Sequence, residues 1–241
     1  MIYSSIQNSK IKDIKKLNQK KYRDESGLFL VDGEHLVLEA YKCGSLVSVI
    51  LEEHEDIDLD IDKIYVTDSV MNYISNLDNH QKIMGICKKI ETKELTSRII
   101  VLDGIQDPGN LGTIIRSAKA FNFDTIVLSL DTVDLYNSKV IRASQGLIFH
   151  ENIITCDIKS FIKDIKDKGY TIVGTKVDNG TDIRDIKNIS SLALIMGNEG
   201  NGVSAEVLDM CDLYAHIKMN DNCESLNVGV ATSIMMYELS K

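Results

Sequence analysis

Three short segments carry the polar residues and glycines that could do chemistry in this chain. The first runs Asp103-Gly-Ile-Gln-Asp-Pro-Gly-Asn-Leu-Gly-Thr-Ile-Ile-Arg116. Its Pro108, the only proline present, sits with Gly109 where the central pair of a type II turn would stand, and Asn110 is then placed to cap a helix. Arg116 follows on a stretch of Leu, Ile, Ala and Phe. There it is either a surface side chain whose stem lies along apolar ground or a cation with a task. The second segment, Gly197-Asn-Glu-Gly-Asn-Gly202, follows the apolar run Leu192 to Met196 and opens a helix. Its glycines let a backbone approach a ligand closely, and a helix start offers free N–H groups. The spacing is Gly-x-x-Gly-x-Gly. It is neither the dinucleotide fingerprint nor a phosphate-binding loop, and Glu199 would repel a phosphate. The third segment, Glu224 to Glu238, begins Glu-Ser-Leu-Asn and continues as a helix. Ser225 and Asn227 fall at its first turn as capping residues. Ser225, Gly229 and Ser233 form a stripe of small residues, and Leu226, Val230, Ile234 and Tyr237 an apolar stripe beside it. The small stripe would admit a second helix from this chain or from another subunit.

The elements that must position these segments follow from pattern. Short apolar runs at Ile99–Leu102, Thr125–Leu130, Thr171–Gly174, Leu192–Met196 and Leu213–Ile217 alternate with amphipathic stretches at 111–121, 138–145, 159–168, 204–210 and 225–239. Strands without clean alternation, separated by helices, require a parallel sheet covered on both faces. Ligands of such sheets settle at the carboxyl ends of the strands, where the first two segments lie. Ahead of this zone, residues up to about Thr96 form a smaller α/β unit. It has strands at Leu28–Val31, Ser48–Glu52, Lys63–Thr67 and Ile83–Cys87, and a helix from Glu34 to Cys43 ended by Gly44. The division expected is 1–95 and 96–241.

The 241 residues, 44% hydrophobic and 26% charged, suffice for one large core or two modest ones. No apolar run is long enough to span a membrane and no signal peptide precedes the polar start, so the cytoplasm is the expected location. The five cysteines form no Cys-x-x-Cys pair, so neither a disulfide framework nor a zinc site is suggested. A net charge of -9 argues against wholesale coating of nucleic acid. The charge is uneven, however. Lys10 to Arg23 is basic, with Lys20, Lys21 and Arg23 at its end, whereas Glu52 to Asp62 holds seven carboxylates and no Lys or Arg. The basic arm is a candidate phosphate contact, or a solvated helix face.

Taken together, Asn110-Leu-Gly-Thr-Ile-Ile-Arg116, Leu194-Ile-Met-Gly-Asn-Glu-Gly200 and Ser225-Leu-Asn-Val228 resemble, in order and spacing, the three motifs of the SpoU/TrmH family of RNA 2'-O-ribose methyltransferases within the SPOUT superfamily. Val140 to Gly146 also resembles a family element. Relatives commonly carry proline where this chain has Lys218, a departure expected to change a loop and no chemistry. The first zone, with Lys20-Lys-Tyr-Arg-Asp-Glu-Ser-Gly-Leu-Phe-Leu-Val-Asp-Gly-Glu34, is similar to the substrate-binding domain of such enzymes, whose fold is like that of ribosomal protein L30e.

The resemblance implies an α/β fold with a small L30e-like domain followed by a SPOUT α/β-knot domain, with a parallel sheet and a carboxyl-terminal trefoil knot. It also implies S-adenosylmethionine as cofactor, no metal, and a homodimer through the carboxyl-terminal domain. The substrate is RNA, with rRNA favoured over tRNA. Carried onto this chain, it gives Gly197, Ile217, Leu226 and Thr175 as cofactor contacts, and Arg116, Asn110, Glu199, Ser225 and Asn227 as catalytic residues. The methyl group is already activated on a sulfonium, so the protein must align the 2'-oxygen and help remove its proton. Arginine essentially never gives up its proton, which sets the family's proposal of Arg116 as base against a second role, holding an RNA phosphate and stabilising an alkoxide. A family-like RNA-binding protein without activity is the alternative. A Rossmann dehydrogenase is excluded by the missing glycine fingerprint after the first strand.

Overall fold

A computed structural model describes residues 1–177, 180–187 and 189–240. In chain order its elements begin with β1 (Ile2–Tyr3), α1 (Ser9–Lys16), α2 (Lys20–Ser26), β2 (Leu28–Asp32), α3 (Glu34–Lys42), β3 (Leu46–Glu52), β4 (Asp62–Val66), α4 (Asp68–Ile74) and β5 (Ile83–Lys88). They continue with β6 (Arg98–Asp103), α5 (Pro108–Ala120), β7 (Thr125–Leu128), α6 (Ser138–Ala143), β8 (Asn152–Thr155), α7 (Ile158–Asp167), β9 (Thr171–Thr175), β10 (Thr181–Asp182), β11 (Leu192–Gly197), α8 (Ala205–Leu208), β12 (Leu213–His216) and α9 (Val228–Leu239). The chain divides into two compact units, Met1–Ile90 with Asp134–His150, and Glu91–Val133 with the chain from Glu151 onward.

In the first unit a five-stranded sheet runs in the order β1-β4-β3-β5-β2. The strand β5 lies antiparallel to both its neighbours, and the other pairings are parallel. Ile11 and Ile14 of α1 and Val70, Met71 and Ile74 of α4 close over Ile50, Ile64 and Met84 of the sheet.

The second sheet is wholly parallel, in the order β10-β12-β9-β11-β6-β7-β8. Every residue of β7 and β11 is buried, as strands covered on both faces must be. Ile99, Val101, Ala193 and Ile195 pack against Ile158, Ile162 and Ile165 of α7 and Val207 of α8. The helices α5 and α9 pack on each other, with contacts to β7 and β11. The run expected as a strand to Leu130 stops at Leu128. There the Ser129 hydroxyl accepts from the Gly104 N–H at 2.8 Å, and Leu130 is left 72% exposed.

By its contacts Asp134–His150 groups with the first unit, apart from the chain on either side of it. Val140, Ile141, Ile148 and Phe149 of that stretch are buried. Phe29 of β2 has the Tyr136 ring at 4.6 Å and the Phe149 ring at 6.0 Å. The segment is an apolar excursion flanked by ordinary turns, so composition gives no sign of where its core lies. Among the described residues, no helix is long and apolar enough to cross a membrane.

Candidate active site

The site is built where β6 and β11 end side by side, Gly197 in register with Asp103. Beyond Gly197 the chain turns back on itself, Asn198 N–H to Gly202 O at 2.9 Å and Gly202 N–H to Asn198 O at 3.0 Å. The Asn198 Oδ1 accepts from the Gly200 and Asn201 N–H groups at 2.9 and 3.2 Å, and its Nδ2 donates to Gly104 O at 2.7 Å. Gly197 is required here, since a Cβ would lie 1.9 Å from the Gly202 carbonyl carbon. Gly202 takes φ +69°, which side chains rarely adopt.

This tight loop holds Glu199 against the start of α5. Its Oε1 accepts from Asp107 N–H at 3.1 Å and Asn110 Nδ2 at 3.0 Å, and its Oε2 from Gln106 N–H at 3.1 Å. Burial works to raise this carboxyl. The Asn110 amide and the backbone N–H groups of Asp107, Glu199 and Gln106 outweigh it and hold the group below its ordinary value. Glu199 is therefore a fixed anion at a helix amino end, where the macrodipole also favours negative charge. Asn110 passes the connection on: its Oδ1 accepts from Asn227 Nδ2 at 2.9 Å. Asn227 Oδ1 in turn accepts from the Gly229 and Val230 N–H groups, at 2.9 and 3.3 Å, capping α9. One chain of side-chain hydrogen bonds thus joins the three segments. Every amide orientation in it is set by its neighbours.

Two expectations about local structure change. Asn110 is not the cap of α5. Asp107 is, accepting from Asn110 N–H at 2.8 Å, and Pro108 with Gly109 form the first helical turn instead of a type II turn. Proline's fixed φ and missing N–H suit that position. At the third segment Asn227 alone caps, and Ser225 precedes the helix. The stripe of small residues packs within the chain: Ser233 Oγ and Ser117 Oγ are 2.7 Å apart, and a Cβ on Gly229 would meet Thr113 at 3.4 Å.

A cleft of about 690 Å³ opens beside this network. All four residues expected to hold a cofactor, Thr175, Gly197, Ile217 and Leu226, line it, as do Glu199, Ser225 and Asn227. The Thr175 hydroxyl donates to Ile195 O at 2.8 Å. Met196, within the second motif, and Met219 and Met235, outside the motifs, supply soft apolar wall. Asn110 stands behind the lining, through its bonds to Glu199 and Asn227. Arg116 is not brought to the cleft. It lies exposed on α5 and forms no hydrogen bond or ion pair among the described residues.

In the first unit Lys20 and Lys21 are exposed and pair with Asp24 and Glu25 one helical turn on. Arg23, expected beside them as an RNA contact, is buried. It donates to Leu17 O at 2.9 Å and pairs with Asp134.

Known proteins match both parts of the chain. Residues 97–237 match the SpoU rRNA Methylase family, and residues 8–85 match the MRM3-like substrate binding domain. The 23S rRNA (guanosine(2553)-2'-O)-methyltransferase RlmP of Bacillus subtilis is 38% identical over 98% of this chain and 97% of its own. An rRNA methyltransferase of Sinorhizobium meliloti superposes with a TM-score of 0.87 at 30% identity, covering 99% of this chain and 96% of that one. Its AdoMet-bound form gives 0.87 at 29% identity.

Proposed function

The chain belongs to the SpoU rRNA methylase family, and from that premise we propose that it methylates a ribose 2'-hydroxyl of 23S rRNA, using S-adenosylmethionine. The observation that carries this reading is the run of hydrogen bonds from Glu199 through Asn110 to Asn227, which unites the three segments at one cleft. The position named for the Bacillus subtilis relative, guanosine 2553, is the target we assign. The first unit, L30e-like, takes the RNA, with Lys20 and Lys21 on phosphate, and the enzyme works in the cytoplasm. A return from β11 past β9 to β12, before α9 packs back on α5, supports a trefoil knot in the second unit.

The residues present fit the cofactor. A cleft of about 690 Å³ is of the size that holds a drug-sized ligand. Its methionine walls suit an adenine ring, and the backbone polar groups of Gly197, Ile217 and Leu226 suit a ribose and an amino acid. When bound, the cofactor supplies a methyl group already activated on a sulfonium, so the reaction needs no metal. Glu199, held ionised by its donors, positions the loop and α5 and is not poised to take a proton. Asn227 and Ser225 order the mouth of the cleft. Arg116, permanently charged, fits an RNA phosphate and a developing alkoxide better than it fits a base. Since it does not line its own cleft, it serves the cleft of a second copy. Val230 and Tyr237, 47% and 49% exposed on α9, mark the apolar face of that homodimer.

Calorimetry tests the cofactor site. The chain binds S-adenosylmethionine, and Gly197→Ala, whose Cβ would strike the Gly202 backbone, weakens binding at least about tenfold, or about 1.4 kcal/mol. A folded wild-type chain without affinity for this cofactor would overturn the reading.

A further inference from the structure

Away from the cleft, the first unit brings a thiol, an imidazole and a carboxylate together. Cys43, exposed at the end of α3, has its Sγ 3.7 Å from Nδ1 and 3.7 Å from Nε2 of His150. The Nε2 of His150 stands 2.8 Å from Glu39 Oε2, and Glu39 Oε1 accepts from Lys42 Nζ at 2.7 Å. Glu39 and Cys43 are one helical turn apart and so share a face of α3. His150 comes to that face from the 3-10 turn Leu147–His150. Gly146, at φ +82°, lets the preceding backbone come close to α3: a Cβ there would sit 2.9 Å from Glu39 Cγ.

With its Nε2–H given to Glu39, His150 keeps Nδ1 as the acceptor, and the sulfur stands over the ring, equally far from both nitrogens, within a side-chain rotation of Nδ1. This is the order of groups that activates a nucleophile: thiol, base, orienting carboxylate. Hydrogen bonds from Lys42 and His150 hold Glu39 below the ordinary carboxylate range, so the orienting anion persists. Charged groups packed beside the imidazole are Glu39 and, bonded to it, Lys42. The other thiols lack such company. Burial pushes Cys87 and Cys156 up and takes Cys211 to about 11. Cys223, exposed, donates to the Ser225 carbonyl, an acceptor that does nothing for a thiolate.

We propose that Cys43 is a nucleophilic thiol, with His150 as its base and Glu39 orienting the imidazole, and that it exchanges with low-molecular-weight disulfides. The Cys43 proton passes to His150 Nδ1. The thiolate attacks one sulfur of the disulfide, a Cys43 S–S bond forms as the original S–S bond breaks, and the other half leaves as a thiolate that takes the proton from His150. Electrons balance in this exchange without any further oxidant.

The test uses the full-length chain and the aromatic disulfide dithiobis-nitrobenzoate, with release of the coloured thiolate followed from about pH 6 to about pH 9. In a Cys223→Ser background one fast reaction is expected, lost on Cys43→Ser, with its half-maximal rate below the ordinary thiol value of about 8.5. At pH 7 it should run about tenfold faster than Cys223 does in a Cys43→Ser chain. Folded His150→Ala, and separately Glu39→Gln, should move the profile upward. Mass spectrometry after glutathione disulfide should place the adduct on Cys43. A Cys43 profile identical to that of Cys223, or one unmoved by His150→Ala, overturns the proposal. If His150→Ala does not fold, the comparison of Cys43 with Cys223 decides by itself.

Discussion

Replacing Glu199 with glutamine tests whether the loop after β11 is held by charge as well as shape. Both carboxylate oxygens accept, Oε1 from two N–H donors and Oε2 from one. A glutamine keeps one acceptor and turns an NH2 toward a donor that has no acceptor left. A hydrogen bond to a charged group contributes about 1.5–3 kcal/mol, and the exposure of Glu199 lowers that, so a loss of about 1–2 kcal/mol is expected. If the same amount is lost in the transition state, turnover falls roughly five- to thirtyfold, with cofactor affinity changed much less. The group's pKa is lowered, so its stabilising contribution is complete above the ordinary carboxylate value and is lost as pH falls through the lowered one. Urea unfolding and methyl transfer from labelled S-adenosylmethionine, for wild type and Glu199→Gln at pH 7, measure both effects. A variant matching wild type in stability and turnover would refute the positioning role.

Other expectations concern groups outside the cleft. Glu151 is fully buried, neither oxygen accepts a hydrogen bond among the described residues, and Lys119 Nζ stands 3.5 Å away while bonded to Asp124 at 3.0 Å. Burial raises this carboxyl to about 7, so the folded chain keeps a proton that the unfolded chain has released, and stability falls as pH rises from about 4.5 to about 7. Glu151→Gln should remove that slope and be about 2–3 kcal/mol more stable than wild type at pH 8; parallel urea curves for the two chains would contradict this. Arg23→Ala should cost about 3–5 kcal/mol by leaving Asp134 half-buried without its partner. Lys20→Ala and Lys21→Ala, at exposed pairs, should shift stability by less than about 1 kcal/mol while weakening RNA binding and lowering its salt slope by about one each. Thermal melts and salt titrations separate the two kinds of residue, and an Arg23→Ala chain as stable as wild type would refute the structural assignment.

The second sheet is legible in the sequence because burial on both faces removes polar alternation, leaving apolar runs such as Leu192 to Met196 with nowhere else to go. The segments at its strand ends are legible as punctuation: glycines where the backbone turns, asparagines where helices begin. That they meet is not legible from spacing, since hydrogen bonds such as Asn227 to Asn110 span much of the chain and depend on tertiary packing. Asp107 had a signal, an Asp-Pro pair at a helix start, which competes with the turn reading of Pro108-Gly109. Arg23 had none. Its neighbours Lys20 and Lys21 are the same kind of residue by charge, and only the core beneath α2 tells them apart. Asp134–His150 reads as one more helix of the alternating zone, and the burial of Val140, Ile141 and Phe149 in the first unit is a property of that unit's core.

Methyl transfer to a ribose of 23S rRNA leaves a mark that ribose-methylation mapping of total RNA, from cells with and without the gene, reads at single nucleotides. Loss of one 2'-O-methyl group, at the guanosine equivalent to 2553, is the predicted result, restored by the wild-type chain and not by a folded Asn227→Ala variant. An unchanged map would show that the chain does not methylate this RNA.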